Sequence, residues 1–424
     1  DAMPAFMPDE VDQWVPAVRQ PIAVPSGPLA PRHGGPIIGV AGRVAVDFSF
    51  TPEQEAVRSA VERICARFGD DYWLKKDKEG GFPHDFHKAF ADDGWLGICV
   101  PQEYGGAGCG VTEAVIMMQT IAASGAGLSG ASALHMNIFG LNPVVVFGTE
   151  EQKRRMLPPL IAGQDKACFA VTEPNVGLDT LKLKTKAVRA GGYYLLSGQK
   201  IWISTAQVAS KMLILARTTP LDEVKQRTEG LSLFYTDLDR RHIDVREIPK
   251  MGRSAVDSNE LFIDKLPVPV ADRIGEEGRG FEYILHGMNP ERILIGAEGI
   301  GLGQAALRKA AAYAGERVVF DRPIGQNQAI QHPLAACWMQ LQAAELMAYK
   351  AAALYDTGKP CALEANATKY LGGEAAFKAC ETAVMTHGGM GYAKEFHVER
   401  YLREALITRI APISPAQQGC TIPV

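Results

Sequence analysis

The chain has 424 residues, of which 47% are hydrophobic and 22% are charged. These proportions are typical of a globular protein that is long enough for about three domains. The formal net charge of −4 at pH 7 argues against a nucleic-acid partner, because such a partner is bound through a basic face. No unbroken apolar run of 18 residues is present, so we predict no membrane span.

The eight cysteines are spread singly along the chain and include no Cys-x-x-Cys pair, which is the spacing of many zinc and redox sites. We therefore predict no metal site, and reduced thiols of the kind found in cytoplasmic proteins. In a eukaryotic cell, the mitochondrial matrix or the peroxisome would be the alternative compartment.

Residues 1–46 differ from the rest of the chain, because prolines recur in them every few residues and Gly34 and Gly35 are adjacent. Such a segment cannot sustain helices. We predict an extended N-terminal arm with a linker or packing role.

Helical patterns fill residues 47–166. Thr51 is a good N-cap, and it is followed by a proline and by acidic residues suited to a first helical turn. Apolar residues then recur at helical spacing at Val57, Val61, Ile64 and Phe68. The Ala/Gly/Ser-rich stretch at 122–133 predicts helices that pack very closely.

Residues 167–279 are rich in short apolar, β-branched and aromatic runs separated by turn residues, which predicts strands. Residues 280–424 return to long helical patterns. No alternation of strands and helices is visible, so a Rossmann-type cofactor domain is disfavoured. The sequence predicts an α+β protein with an N-terminal helical domain, a middle β domain and a C-terminal helical domain.

Two glycine-containing motifs carry the functional signal. One is THGGMGYAKEFHVERYLREA at 386–405, which includes Gly388 and Gly389, and the other is AVTEPNVGLD at 170–179. Glycine lets a backbone approach a ligand closely. Together the motifs resemble those of the acyl-CoA dehydrogenase family of flavoenzymes, over roughly residues 48–418. The resemblance implies a β-barrel-like middle domain, a C-terminal helical bundle, FAD as the cofactor, and a homotetramer built as a dimer of dimers.

The resemblance further implies that each FAD is held by two subunits. On one subunit it assigns the flavin contacts to Phe169, Val171, Thr172, Trp202 and Ser204. On the neighbouring subunit it assigns the remaining contacts to Arg317, Phe320, Gln328, Gly388 and Gly389. An arginine suits the pyrophosphate, because its donors are fixed and always charged. The residues taken singly leave a structural alternative open, in which the hydroxyl groups pair strands, the tryptophan packs in the core and the arginine caps a helix.

The reaction of this family takes an α-proton and a β-hydride from an acyl-CoA thioester. The α-proton is too weakly acidic for water to remove, so a positioned base is required. Most members place a glutamate where this chain has Pro412, but the isovaleryl- and long-chain-type members place it where this chain has Glu291. The resemblance therefore implies that Glu291 is the base. From the residues alone, a glutamate in a first helical turn is more simply explained by the helix dipole.

The resemblance also implies substrate contacts. It assigns a pantetheine contact to Asn289 and a contact near the substrate mouth to Arg292. Leu178 stands where a serine or threonine usually contacts the pyrophosphate and the pantetheine. Pro412 has no N–H, although the family uses a backbone N–H there to hold the thioester oxygen.

The leading interpretation is an FAD-dependent acyl-CoA dehydrogenase that forms a trans-2-enoyl-CoA and passes electrons to an electron-transfer flavoprotein. A flavin monooxygenase of the same fold is the first alternative, although it would not need Glu291. A non-enzymatic assembly or binding member is the second alternative, which Pro412, Leu178 and the N-terminal arm favour slightly.

Overall fold

The computed structural model describes residues 48–138 and 140–412. The arm predicted over residues 1–46 therefore lies outside the described residues, as does the chain after Pro412.

The N-terminal part consists of helices. They are α1 (Pro52–Cys65), α2 (Asp70–Glu79), α3 (His84–Asp92), α4 (Val111–Ile121), α5 (Gly127–Ile138), α6 (Asn142–Phe147) and α7 (Glu150–Ile161). The predicted cap of α1 is confirmed: the Gln54 N–H donates to Thr51 Oγ1 at 3.2 Å, and the Thr51 N–H donates to Gln54 Oε1 at 3.1 Å. This reciprocal pair satisfies two backbone donors at the helix start.

A π-helical turn, Ala122–Ala126, joins α4 to α5, and Gly125 in it has a φ of 102°. Within the described part of the chain, Val111–Met136 is the one helical stretch long and apolar enough for a membrane span, but 89% of its apolar window is buried in the protein. It therefore packs as a core helix pair. A Cβ added at Gly301 would lie 2.2 Å from the Gln119 carbonyl oxygen, so the C-terminal helix α9 (Met288–Glu316) approaches α4 closely.

The middle part is one eight-stranded sheet with the path β6-β7-β3-β2-β4-β5-β8, and β1 pairs in parallel with β4. The strands are β1 (Ala167–Ala170), β2 (Lys186–Ala190), β3 (Tyr193–Ser204), β4 (Lys211–Arg217), β5 (Leu231–Asp237), β6 (Ile243–Glu247), β7 (Ser258–Pro269) and β8 (Arg273–Ile274). Leu213 and Leu215 of β4 belong to one core cluster, whereas Met212 and Ile214 belong to another. The sheet is therefore buried on both faces, as the alternation of side chains along a strand requires.

The C-terminal part returns to helices, as predicted. They are α8 (Gly280–His286), α9, α10 (Gln328–Asp356), α11 (Ala362–His387) and α12 (Val398–Ile410). A hairpin of β9 (Val318–Val319) and β10 (Arg322–Pro323) stands between α9 and α10. The sequence pattern predicts neither this hairpin nor the short helix α8.

The N-terminal and C-terminal helices share a core, because buried residues of α1 to α5 cluster with Ile293, Leu294 and Ala297 of α9. The predicted α+β class, with helical segments on both sides of a middle sheet, is confirmed. This shared core brings α5 against the first turns of α9.

Candidate active site

Buried hydrogen bonds fix the backbone around Thr172. The Lys200 ammonium is fully buried and donates to the Val171 carbonyl at 3.0 Å and to Glu173 Oε1 at 3.0 Å. Burial lowers the pKa of Lys200 to about 8, against the opposing effect of Glu173. Because Lys200 holds the residue on each side of Thr172, the predicted flavin-contact segment is rigid.

Trp202 lies on a β-bulge of β3. The pairing of β3 with β7 shifts register between Lys200 and Ile203, and Trp202 has a φ of 61° with 57% of the residue exposed. Bulges redirect a side chain out of the regular pleat. The Ile201 N–H donates to the Thr172 carbonyl at 3.0 Å, so the structure brings the Thr172 segment and the Trp202 bulge together.

Ser204 ends β3 and accepts a hydrogen bond from Arg253 Nη2 at 3.1 Å. Arg253 precedes β7 and has a φ of 58°. Burial lowers the pKa of Arg253, whereas Glu298, Glu404 and other carboxylates act to raise it. Arg253 therefore links the predicted flavin-contact residue Ser204 electrostatically to the acidic residue Glu298 of α9.

A second group of predicted cofactor residues lines a separate cavity. Arg317, Gly388 and Gly389 meet in a cavity of about 360 Å³, which has no residue of the middle sheet in its lining. A Cβ added at either glycine would meet nothing within 4 Å. His387 also lines the cavity, and its ring stacks on Tyr313 with ring centroids 4.3 Å apart. An arginine beside bare backbone suits a phosphate group.

Phe320 and Gln328 do not line this cavity. Phe320 is 93% exposed in the turn between β9 and β10, where it and Asp321 have φ values of 53° and 60°. Two successive residues with positive φ match a type I′ hairpin turn, which non-glycine residues adopt at a cost. Gln328 begins α10 and is exposed. The turn thus presents an aromatic ring to the outside of the chain.

Glu291 lies in the first turn of α9, and its carboxylate is engaged by a histidine. Oε2 lies 2.5 Å from Nε2 of His135, which belongs to α5. The other ring nitrogen, Nδ1, hydrogen bonds to Oε1 of Glu298. Among the described residues, Oε1 of Glu291 has no hydrogen-bond partner, and 10% of the side chain remains exposed.

The two carboxylates decide the charge of His135. Burial alone would lower the pKa of His135, but Glu291 and Glu298 together raise it to about 10. An ionised carboxylate can only accept, so a ring that serves two of them needs both of its N–H donors. His135 is therefore an imidazolium at neutral pH.

Two of the three predicted substrate residues, Asn289 and Arg292, flank Glu291 in this turn of α9. Asn289 Oδ1 accepts from Arg292 Nη1 at 3.2 Å, which keeps the two side chains together. Pro290 and Leu294, on either side of Glu291 in the helix, line a largely apolar cavity of about 230 Å³. Leu178 is exposed in the loop after β1, and no described contact brings it to this cavity.

The sequence does not predict a role in the site for three residues, His135, Arg253 and Lys200. His135 lies 156 residues before Glu291, and in the sequence it is a lone histidine in an apolar helix. Arg253 and Lys200 likewise act through partners remote in sequence. Only a folded structure brings such partners together. Among the described residues, no group of three or more His, Cys, Asp or Glu side chains could hold a metal ion.

Comparison with known proteins identifies the family. Models of the N-terminal, middle and C-terminal domains of acyl-CoA dehydrogenases match residues 51–164, 168–266 and 278–412. The chain therefore belongs to the acyl-CoA dehydrogenase family, whose members are flavoprotein oxidoreductases.

Individual proteins agree with this assignment. An acyl-CoA dehydrogenase of Bacillus subtilis is 37% identical over 335 residues, which are 79% of this chain and 87% of that protein. Subunit CarC of the caffeyl-CoA reductase-Etf complex of Acetobacterium woodii is 33% identical over 79% of this chain and 87% of its own. The structure of butyryl-CoA dehydrogenase from Megasphaera elsdenii superposes with a TM-score of 0.84 at 28% identity, over 88% of this chain and 98% of that one.

Proposed function

We propose that this protein catalyses the FAD-dependent α,β-dehydrogenation of an acyl-CoA thioester to a trans-2-enoyl-CoA. The observation that carries the proposal is the placement of Glu291. It is a largely buried carboxylate with one oxygen held and the other free of hydrogen bonds to described residues, beside an apolar cavity. A base that removes a proton from a weakly acidic carbon must be ionised, fixed and shielded from water.

Glu291 would take the α-proton through its free oxygen. Bound FAD would supply the acceptor for the β-hydride. Asn289 and Arg292, which are hydrogen bonded to each other in the same turn, would hold the thioester arm next to the carboxylate. The apolar cavity beside Pro290 and Leu294 would receive part of the acyl chain and exclude water.

The chain carries two separate groups of residues, each of which suits one part of FAD. The rigid Thr172 segment, the exposed Trp202 and Ser204 offer a surface for the flavin, whereas the cavity with Arg317, Gly388 and Gly389 offers a place for the pyrophosphate. Phe320 is exposed and would be free to contact the cofactor of a neighbouring subunit. These features support a cofactor shared between subunits.

A homotetramer, built as a dimer of dimers through the C-terminal helices, would complete the sites. Large exposed apolar side chains recur along α10 and α11, at Trp338, Met339, Leu346, Leu363, Tyr370, Leu371 and Met385. Apolar surface on this scale is typical of an interface between subunits.

An electron-transfer flavoprotein would reoxidise the reduced protein. The support is the relative CarC, which is named as a subunit of a complex with Etf. The same relative is named as a reductase, a name that refers to the reverse direction of electron flow.

The test is anaerobic titration of the purified protein with butyryl-, octanoyl- and isovaleryl-CoA. We expect a yellow protein whose flavin absorbance bleaches with one of these thioesters and returns when an electron-transfer flavoprotein is added. A protein that carries flavin but is bleached by none of them, and is instead reoxidised by oxygen with hydroxylation of a substrate, would point to the monooxygenase alternative. A colourless protein that takes up no FAD would point to the non-enzymatic alternative.

A further inference from the structure

Glu298, His135 and Glu291 form a buried row that joins two helices. The two glutamates lie seven residues apart on α9, and the histidine reaches them from α5. All three side chains are at most 10% exposed. A row of two carboxylates around one imidazolium carries a net charge of −1, which is costly to bury.

We propose that His135 is a positioning residue for the base. Its ring is fixed by Glu298 at Nδ1, and with Nε2 it holds one oxygen of Glu291 so that the other faces the substrate. This inference rests on the proposed function of Glu291, because it assigns to His135 a role that acts only through that carboxylate.

The positive charge matters because Glu291 is largely buried. A buried carboxylate without a partner charge is costly, and only an ionised carboxylate can accept the α-proton. The imidazolium of His135, whose Nε2 lies 2.5 Å from Glu291 Oε2, supplies that partner charge. When Glu291 receives the α-proton, the charge on His135 remains paired with Glu298, so proton abstraction leaves no unpaired buried cation.

Other charged groups face the row. Arg292 follows Glu291 on α9, and Arg253, in the loop before β7, interacts electrostatically with Glu298. Arg253 also donates to Ser204, so the row is coupled to the predicted flavin surface. None of these groups replaces His135 in its direct contact with Glu291 Oε2 in the described part of the chain.

The experiment is the pH profile of flavin reduction, measured with whichever of butyryl-, octanoyl- and isovaleryl-CoA reduces the parent fastest. Incorporation of deuterium from D₂O at the α-carbon provides a second readout, because it follows proton abstraction directly. His135→Gln removes the cation next to the base, so the acid limb of both profiles should move to higher pH. At high pH the rate should largely recover.

Glu298→Gln should shift the acid limb in the direction opposite to His135→Gln. It leaves Glu291 in contact with the ring and removes the negative charge of Glu298, so its acid limb should move toward lower pH. His87→Gln is the matched control. His87 is buried in α3, its Nε2 has no hydrogen-bond partner among the described residues, and this change should leave the limb in place. An unchanged limb in His135→Gln, or an upward or absent shift in Glu298→Gln, would overturn the proposal.

Stability gives a readout that needs no substrate. The folded-state pKa of His135 is raised, so its charge stabilises the fold fully below the unfolded pKa of about 6.5 and loses this effect as the pH rises through about 10. The loss of stability in His135→Gln should therefore be largest near pH 6 and should shrink toward pH 10. A penalty independent of pH would contradict the imidazolium. If Glu291→Gln keeps the parent rate, the proposed function of Glu291 fails whatever the histidine variants do.

Discussion

Glu404 offers a test of how the site is held, because its buried carboxylate fixes the start of α5, the helix that carries His135. It accepts hydrogen bonds from Leu128 N at 2.7 Å, Ser129 N at 3.2 Å and Ser129 Oγ at 2.6 Å. Its other partner is Arg400 Nη1 at 3.2 Å. Glu404 is 0% exposed and Arg400 is 2% exposed. The carboxylate thus caps α5 and neutralises a buried cation.

Replacing Glu404 by alanine should cost about 3–5 kcal/mol of unfolding free energy, because it leaves the buried Arg400 without its counter-charge. The lost cap of α5 acts in the same direction. Glu404→Gln keeps an oxygen acceptor and should lose less. The matched control is Glu381→Ala, which removes a helical glutamate from an exposed pair with Lys378 and should change stability little.

The assay is urea unfolding of each purified, FAD-loaded protein at pH 7, followed by circular dichroism and tryptophan fluorescence. We expect a clearly lower midpoint for Glu404→Ala and a midpoint close to the parent for Glu381→Ala. Equal midpoints in the two variants would refute the assignment of Glu404 as the cap of α5 and the partner of Arg400.

Four further outcomes are expected. Arg317→Ala should lose FAD on gel filtration, whereas Arg241→Ala, which removes a surface arginine, should keep it. Gly301→Ala should destabilise by about 1–3 kcal/mol because its Cβ would meet a backbone oxygen, whereas Gly315→Ala in the same helix has open space and should be neutral or stabilising. Burial would raise the pKa of Asp77, but Arg403 lowers it below its ordinary value, so Asp77→Asn should destabilise most at neutral pH and progressively less below about pH 4. Light scattering at micromolar concentration should give a homotetramer, and a monomer would contradict the shared cofactor site.

Local sequence signals predict the fold well. The Thr51 cap, the order of helices, strands and helices, and the long C-terminal helices all follow from short-range patterns of caps and periodicity. Such patterns depend on residues within a few positions of each other, so they survive in a single sequence.

The site is less predictable, because its geometry depends on contacts between distant segments. The resemblance selects Glu291 and Thr172 from their motifs, but nothing near His135 in the sequence indicates two carboxylate partners. The bulge that turns Trp202 outward and the hairpin that exposes Phe320 also lack a glycine or proline at the critical positions. In both, tertiary structure imposes positive φ values, which are unfavourable for non-glycine residues.

Flavin reduction by Glu291→Gln tests the central claim most directly. The glutamine keeps the shape of the side chain and removes the carboxylate, so anaerobic reduction by the best acyl-CoA should slow at least about a hundredfold while FAD stays bound. Glu364→Gln, which changes a first-turn glutamate of α11 paired with Lys350, should reduce its flavin at the parent rate. If Glu291→Gln is also reduced at near the parent rate, Glu291 is not the base.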